Sequence, residues 1–201
     1  MRPESRRRFS AATLVLMFLL SPMLAGTSAG LSRSTTVWSG TVNLPDGYLV
    51  DSNQVLVIQA GTNVLLGDGE RLGVNGRLTV EGTAGAPVTV GSISGDHQGI
   101  QFNSSSNNLG SILENVTITD SEYGVTIYSS NPSINNLTVH NAHRVAVDIF
   151  SGASPRFNDL VIDGGGQDVH GSLETWRYGI GISAGDFSSP IVNGAQIGNL
   201  V

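Results

Sequence analysis

Apolar residues alternate with polar ones along most of the chain after residue 30, in short runs separated by Gly, Asn, Ser and Asp. Alternation with a period of two is typical of β-strands, and the small polar residues between the runs are typical of turns. No run after residue 30 has helical periodicity of useful length. The pattern therefore predicts an all-β protein built from many short strands.

The runs also repeat at intervals near 22 residues, as in SNPSINNLTVHN (130–141) and ASPRFNDLVIDG (153–164). One alternating apolar pair recurs as Leu56/Ile58, Leu78/Val80, Ile100/Phe102, Val125/Ile127, Val147/Ile149 and Ile180/Ile182. A second set consists of Val116/Ile118, Leu137/Val139, Leu160/Ile162 and Ala195/Ile197. Short strands at a nearly fixed period predict a solenoid, in which equivalent residues of successive repeats stack in columns. We expect Asn115, Asn136 and Asp159 to form one turn column with stacked side chains.

Two kinds of solenoid fit this period. A leucine-rich repeat matches residues 134–141, which have the spacing IxxLxVxN, but it needs a helical segment on its convex side. The segments that would have to supply it, such as GASP (152–155), are poor helix formers. The composition favours a right-handed parallel β-helix, with several short strands in each coil.

The stretch VLVIQAGTNVLLGDGERLGVNGRLTVEGTAGAPVTVGS at 55–92 resembles the opening coils of secreted right-handed parallel β-helix repeat proteins, which are related in architecture to pectate lyases. Gly61-Thr62, GRLTVEGT (76–83) and Ala86-Pro87-Val88 carry the resemblance, which extends over residues 37–201. It implies a β-helix of about seven coils. It implies no single activity, because the fold hosts lyases, hydrolases, adhesins and plain spacers.

The first 29 residues predict a signal peptide. A basic start (MRPESRRRFS) precedes an apolar run (AATLVLMFLL) and a stretch that ends in small residues. The apolar run is too short to span a bilayer as a helix, so membrane contact is expected only before cleavage. Residues 30–201 would then form the β-helix domain of a secreted, cell-surface or periplasmic protein. Arg6-Arg7 leaves twin-arginine export open beside ordinary secretion.

The segment after the signal is acidic, with six Arg, no Lys and 15 Asp and Glu. This balance argues against a nucleic-acid partner, because binding to phosphates requires a basic surface. The absence of Cys excludes disulfides and Cys-ligated zinc. Acidic turns such as 67–70 lack the spacing of a Ca²⁺-binding loop, so the sequence predicts no cofactor and gives calcium no support.

One turn, GGGQDVHGSLETWRY (164–178), is longer than its counterparts and carries the candidate chemistry. We expect neighbouring repeats to bring Tyr128 beside Phe150 and His140 beside Asp163. Exposed aromatic rings with a few polar groups are typical of carbohydrate-binding surfaces. The candidate ligand-binding residues are Tyr128, Arg144, Asp148, Phe150, His170, Glu174, Trp176, Arg177 and Tyr178. The alternative is purely structural: the turn buries Trp176, and the pair at His140 lies on the surface.

These features favour a secreted or surface module with a structural or adhesive role that binds a polysaccharide or another glycan. The alternative is a pectate-lyase-like polysaccharide lyase or a glycoside hydrolase. An inverting hydrolase needs two carboxyl groups about 6.5–9.5 Å apart, and the predicted column Thr126, Asp148, Gly181 supplies one. The sequence therefore assigns no catalytic or metal-ligating residue.

The last repeat ends in the apolar stretch SSPIVNGAQIGNLV (188–201). An uncovered strand edge is a template for another strand, and solenoids usually cover it with a cap. We expect either a β-helix that continues past residue 201 or a last coil that pairs with another chain.

Overall fold

The computed structural model describes residues 33–165 and 179–200, in which the regular elements are β-strands apart from one 3₁₀ segment, Ser104–Ser106. The strands are β1 (Ser34–Trp38), β2 (Thr41–Leu44), β3 (Tyr48–Val50), β4 (Gln54–Gln59), β5 (Asn63–Leu66), β6 (Leu72–Val74), β7 (Arg77–Glu81), β8 (Val88–Ser92), β9 (Ile100–Phe102), β10 (Ile112–Tyr128), β11 (Ser133–Phe150), β12 (Arg156–Gly165), β13 (Ile180–Ala184) and β14 (Ile191–Leu200). The predicted all-β class is confirmed. No helix in the described part of the chain is long and apolar enough to cross a membrane. The predicted signal peptide (1–29) lies outside the described residues.

The fourteen strands pair in parallel and form one curled sheet. Ladder A joins the whole of β1, β4 and β7 with the first residues of β10, β11, β12 and β14. Ladder B joins β2, β5, β8 and the middle of β10, and continues through β11, β12 and β14. Ladder C joins β3, β6, β9, the ends of β10 and β11, and β13. Along the chain, successive strand segments belong to ladder A, then B, then C, and then to A again. This order is compatible with a β-helix-like solenoid.

The core consists of inward-pointing apolar side chains from all three ladders. The pairing of strands aligns these side chains in columns. One column of ladder A contains five residues on successive strands, each at most 1% exposed. They are Ile58, Val80, Leu113, Ile134 and Phe157. Burial of each such side chain contributes roughly 1.5–3 kcal/mol.

The second set of predicted apolar pairs is confirmed in register. Val116 pairs with Leu137, which pairs with Leu160, which pairs with Ala195, and the partner residues two positions later follow the same order. These columns form ladder B.

The first set of predicted pairs is wrong as one column, because its early members belong to ladder A and its later members to ladder C. Val80 is followed in its column by Leu113, whereas Ile100 is followed by Val125. Both ladders return at similar intervals, so the period alone does not separate them.

The end of that set is also displaced by two residues. Val147 pairs with Ile182 and Ile149 with Ala184, whereas the sequence predicts pairing of Val147 with Ile180 and of Ile149 with Ile182. A shift of two residues preserves the alternation of inward and outward side chains, and the hydrophobic pattern cannot detect it.

Single residues with positive φ make the corners between ladders. In β10, Asn115 and Asp120 have φ angles of 48° and 54°, and Ser129 follows the strand at 48°. Asn and Asp tolerate this left-handed conformation best among residues with a side chain. Asn136 and Asp159 have φ angles of 52° and 56°, so the predicted turn column is confirmed.

The stacked amides, however, lie one residue before that column. Asn135 Nδ2 donates to Glu114 Oε1 (2.7 Å), Asn158 Nδ2 to Asn135 Oδ1 (2.6 Å), and Asn193 Nδ2 to Asn158 Oδ1 (2.9 Å). The Asn115 side chain instead donates to a backbone carbonyl. The prediction had the stack in the wrong column, and we call the line Asn135, Asn158, Asn193 the Asn ladder.

Candidate functional site

The outer face of ladder C carries three of the four described members of the candidate site, Tyr128, Asp148 and Phe150. Along β11 the buried residues Val147 and Ile149 point into the core, so Asp148 points away from it. Its column contains Thr126 on one side, as predicted, and Ser183 on the other. The prediction that Gly181 follows Asp148 is wrong, because β13 pairs two residues further along than expected.

Two aromatic rings lie at one edge of this face. Tyr128 and Phe150 pair in register, and their ring centroids are 5.2 Å apart with an interplanar angle of 76°. Tyr128 is 43% exposed. The predicted neighbourhood is confirmed, and the contact is edge-to-face, a favourable aromatic geometry.

A cavity of about 350 Å³ opens beside Phe150, one ring of the aromatic pair. Asp148, Phe150, Ser183 and Asp186 are among the residues that line it. Asp148 is only 6% exposed although it points away from the core. The cavity thus combines the edge of an aromatic ring with two carboxylates and a hydroxyl.

The other end of the same face carries a line of hydrogen-bonded polar side chains. Arg71 Nη1 donates to Gln101 Oε1 (2.6 Å), Gln101 Nε2 to Asn103 Oδ1 (2.8 Å), and Asn103 Nδ2 to Asn75 Oδ1 (2.9 Å). Arg71, Gln101 and Asn103 also line a second cavity of about 440 Å³, beside the half-exposed side chain of Leu49. These hydrogen bonds hold the polar groups in fixed positions. Sequence reasoning did not assign this end of the face.

Arg144 lies at the corner between ladders B and C. Its Nε is 3.7 Å from Glu122 Oε1, and both side chains are partly exposed. Arg144 is not among the described residues that line the cavity at Asp148. The other predicted members, His170, Glu174, Trp176, Arg177 and Tyr178, lie outside the described residues, and no position can be stated for them.

The same corner contains a pair that sequence reasoning missed. His143 Nδ1 lies 2.8 Å from Asp96 Oδ2, and the two side chains are 17% and 14% exposed. Asp68 Oδ1 accepts a hydrogen bond from the backbone N–H of Asp96 (3.1 Å). His143 and Asp96 are 47 positions apart in the sequence. The one signal for their contact is that each lies at the corner between ladders B and C.

His97 follows Asp96 in the sequence, and its side chain is fully buried. Its Nδ1 accepts a hydrogen bond from the Gly99 N–H (2.9 Å), so its Nε2 donates to the Thr119 carbonyl (2.9 Å). Desolvation by burial lowers the pKa of His97, and the hydrogen bond to Thr119 opposes this only in part. The ring is a neutral structural element of the corner.

His140 and Asp163 face each other on adjacent strands, as predicted. Their Nδ1 and Oδ2 atoms are 3.6 Å apart, and the side chains are 42% and 47% exposed. A pair so exposed contributes little to stability.

Within residues 33–165 and 179–200, no group of three or more His, Asp or Glu side chains is arranged to hold a metal ion. No family model, curated protein or solved structure matches the chain. The features that bear on the chemistry of the site are therefore the aromatic pair and the cavity on the ladder C face.

Proposed function

We propose that this chain is a secreted or cell-surface right-handed parallel β-helix of about seven coils, exported by a signal in residues 1–29, with a structural or adhesive role and a glycan-binding face. The parallel ladders support the β-helix, because each runs through successive segments of the chain. Its handedness is supported by the strong preference of parallel strands in one sheet for right-handed crossovers.

The aromatic pair Tyr128 and Phe150, together with the cavity that Phe150 lines, carries the glycan-binding part of the proposal. Exposed aromatic rings stack against the apolar faces of sugars, while the Asp148 carboxylate and the Ser183 hydroxyl suit sugar hydroxyl groups. Its volume of about 350 Å³ falls within the usual range for ligand sites, about 300–1,000 Å³.

The ligand is proposed to be a neutral polysaccharide chain. Neighbouring strands of a sheet lie about 4.8 Å apart, so a chain laid across β9, β10 and β11 would extend from Gln101 past Thr126 to Asp148. The hydrogen-bonded side chains at the other end of this face (Arg71, Gln101, Asn103 and Asn75) would bind its hydroxyl groups. The acidic composition of residues 30–201 disfavours a polyanionic ligand.

Binding of a polysaccharide panel to immobilised full-length protein tests the proposal. We expect at least one neutral polysaccharide to bind, and Tyr128→Ala to weaken it at least tenfold. Val37→Ala is the matched control, because Val37 is an exposed apolar residue (54%) of ladder A. Equal binding by the two variants would refute the site.

A second candidate is a polysaccharide-degrading enzyme, and one observation favours it. Asp148 and Asp186 line the same cavity, and paired carboxylates are the usual catalytic groups of glycoside hydrolases. Assays for new reducing ends and for unsaturated products, with and without Ca²⁺, would identify a hydrolase or a lyase. Turnover that Asp148→Asn abolishes would replace the binding proposal, whereas retention of the polysaccharide without turnover would support it.

The export part of the proposal has its own test. Expression of the full chain in a secreting host should release a protein whose N-terminus lies near residue 30. Intact-mass measurement of the secreted material gives that boundary directly. Retention of residues 1–29 in the released protein would contradict a cleaved signal.

A further inference from the structure

The outer edge of β14 exposes apolar residues at positions where the preceding strand, β12, buries them. Val192 pairs with Phe157 and Ile197 with Ile162, and the two earlier residues are 0% and 1% exposed. Val192 is 36% exposed and Ile197 is 47% exposed. These side chains therefore present an apolar surface at the end of the core.

The backbone of β14 is also unpaired on that side within the described residues. It pairs with β12 along its inner edge and ends the path of ladders A and B. Unpaired N–H and C=O groups along an edge favour the addition of a strand. β14 itself contains no charged residue to oppose such an addition.

The Asn ladder gives this edge a direction. Each Asn donates its Nδ2 to the preceding side chain and presents its Oδ1 to the next one. Asn193 donates its Nδ2 to Asn158, so its Oδ1 is the acceptor that would continue the Asn ladder into a next strand. The next side chain in this column must therefore donate a hydrogen bond.

The opposite end of the core has a different finish. Trp38 and Tyr48 pack edge-to-face with ring centroids 4.9 Å apart, and both lie against the core. Gln54 Nε2 donates to the Tyr48 hydroxyl (2.7 Å) and to Thr36 Oγ1 (2.9 Å). This end presents two aromatic rings to a neighbour, and β1 itself contains no side-chain amide.

We propose that the outer edge of β14 binds one further parallel strand of this chain's own repeat type. That strand has an apolar residue opposite Val192, an Asn or Gln opposite Asn193 and an apolar residue opposite Ile197. It extends ladders A and B, buries the exposed apolar side chains and donates its amide N–H to Asn193 Oδ1. The strand sequence of β12 meets all three requirements, with Phe157, Asn158 and Ile162.

End-to-end pairing of two copies fits the Asn ladder less well. Two β14 edges related by a twofold axis would run antiparallel, so they would not continue the parallel stacking of the Asn ladder. A β14 edge against the β1 edge of a second copy would meet the rings of Trp38 and Tyr48 and would end the Asn ladder, because β1 contains no Asn or Gln.

A synthetic peptide with the sequence of residues 153–164, ASPRFNDLVIDG, provides the probe. Fluorescence anisotropy should show saturable binding to the full-length protein, and a peptide with Asn158→Asp should bind at least tenfold more weakly. Aspartate keeps the shape of asparagine but replaces the donor with an acceptor. Ile197→Arg in the protein should abolish binding of both peptides, and circular dichroism should show that this exposed change leaves the sheet intact.

Each outcome bears on the proposal. Absence of binding by the unmodified peptide, or equal binding by the two peptides, would overturn it. Concentration-dependent self-association in light scattering that Ile197→Arg removes would show a second copy as the occupant and would also overturn it. Sugar binding is measured separately with Tyr128→Ala, so failure of one proposal does not affect the other.

Discussion

Gly124 lies so close to Val139 that a Cβ atom added to it would stand 2.8 Å from Val139 Cγ1 and 2.5 Å from the carbonyl oxygen of Ala146. The corner between ladders B and C therefore closes onto the core only with a residue that lacks a side chain. Gly124→Ala should lower the free energy of unfolding by about 1–3 kcal/mol, the usual cost of overpacking. Urea denaturation of the two proteins measures the difference.

Gly85→Ala is the matched control, because an added Cβ there meets nothing within 4 Å. It should leave stability unchanged or raise it by about 0.4–1 kcal/mol through the entropy of the unfolded chain. Equal stability of the Gly124→Ala variant and the parent would show that the corner has room to relax.

Ile149→Asp should unfold the protein or lower its stability by several kcal/mol. Ile149 is fully buried and pairs with Ile127 in ladder C, so the new carboxylate would have no water and no partner in the core. Circular dichroism and thermal melting report the change. Val37→Asp, at a position that is 54% exposed, should stay within about 0.5 kcal/mol of the parent, and an equally mild effect at residue 149 would contradict the register.

Asn158→Asp should lower the free energy of unfolding by about 1–3 kcal/mol. The Nδ2 of Asn158 donates to Asn135 Oδ1, and a carboxylate would set oxygen against oxygen at that distance. Asn63→Asp tests whether the loss is specific, because Asn63 accepts a hydrogen bond from Thr89 through Oδ1, which aspartate can still do. Similar losses in both variants would argue against the directional Asn ladder.

His97 should make stability fall as the pH falls. Burial lowers the pKa of His97 from its ordinary value of 6.5, and the Thr119 hydrogen bond, Asp120 and Asp96 offset this only in part. The unfolded chain therefore takes up a proton near pH 6.5, before the folded protein does, and the free energy of unfolding drops below that pH until the folded pKa is reached. The slope due to one group is at most about 1.4 kcal/mol per pH unit.

His97→Gln should flatten this part of the pH profile, even though the loss of the ring lowers stability at every pH. His140→Gln removes an imidazole that is 42% exposed and should leave the slope close to that of the parent. Denaturant titrations at a series of pH values between 7 and 5 provide the slopes. A steep profile that survives in His97→Gln would assign the effect to another group.

The all-β class, the parallel stacking and the columns of ladder B could be predicted because alternation and a regular repeat appear directly in the sequence. The division between ladders A and C could not, since the pair Ile100/Phe102 follows the pair Leu78/Val80 at the same interval of 22 residues that separates Leu78/Val80 from Leu56/Ile58. The partner of Asp148 was wrong for a related reason: Gly181 and Ser183 both point outward in an alternating pattern. Register over two residues depends on the length of the preceding turn, which hydrophobicity does not encode.

The candidate site was predictable where partners lie in adjacent repeats. Tyr128 and Phe150 occupy equivalent positions, so a count of residues brings them together. Asp96 and His143 do not, because Asp96 follows β8 and His143 lies in β11, and β10 stands between these two strands in ladder B. Their contact depends on side chains that reach past one repeat, and no periodic pattern marks it.

The corner between ladders B and C tolerates large differences in length. Ala142 pairs with Gly165 and Val145 with Ile180, so two residues connect the paired positions in β11 where fourteen connect those of β12 and β13. The pairing resumes in parallel on both sides regardless. For protein engineering this corner is a grafting point: a foreign peptide inserted after Ala142 would leave the framework beside Gly165, while the strand columns on both sides hold the register.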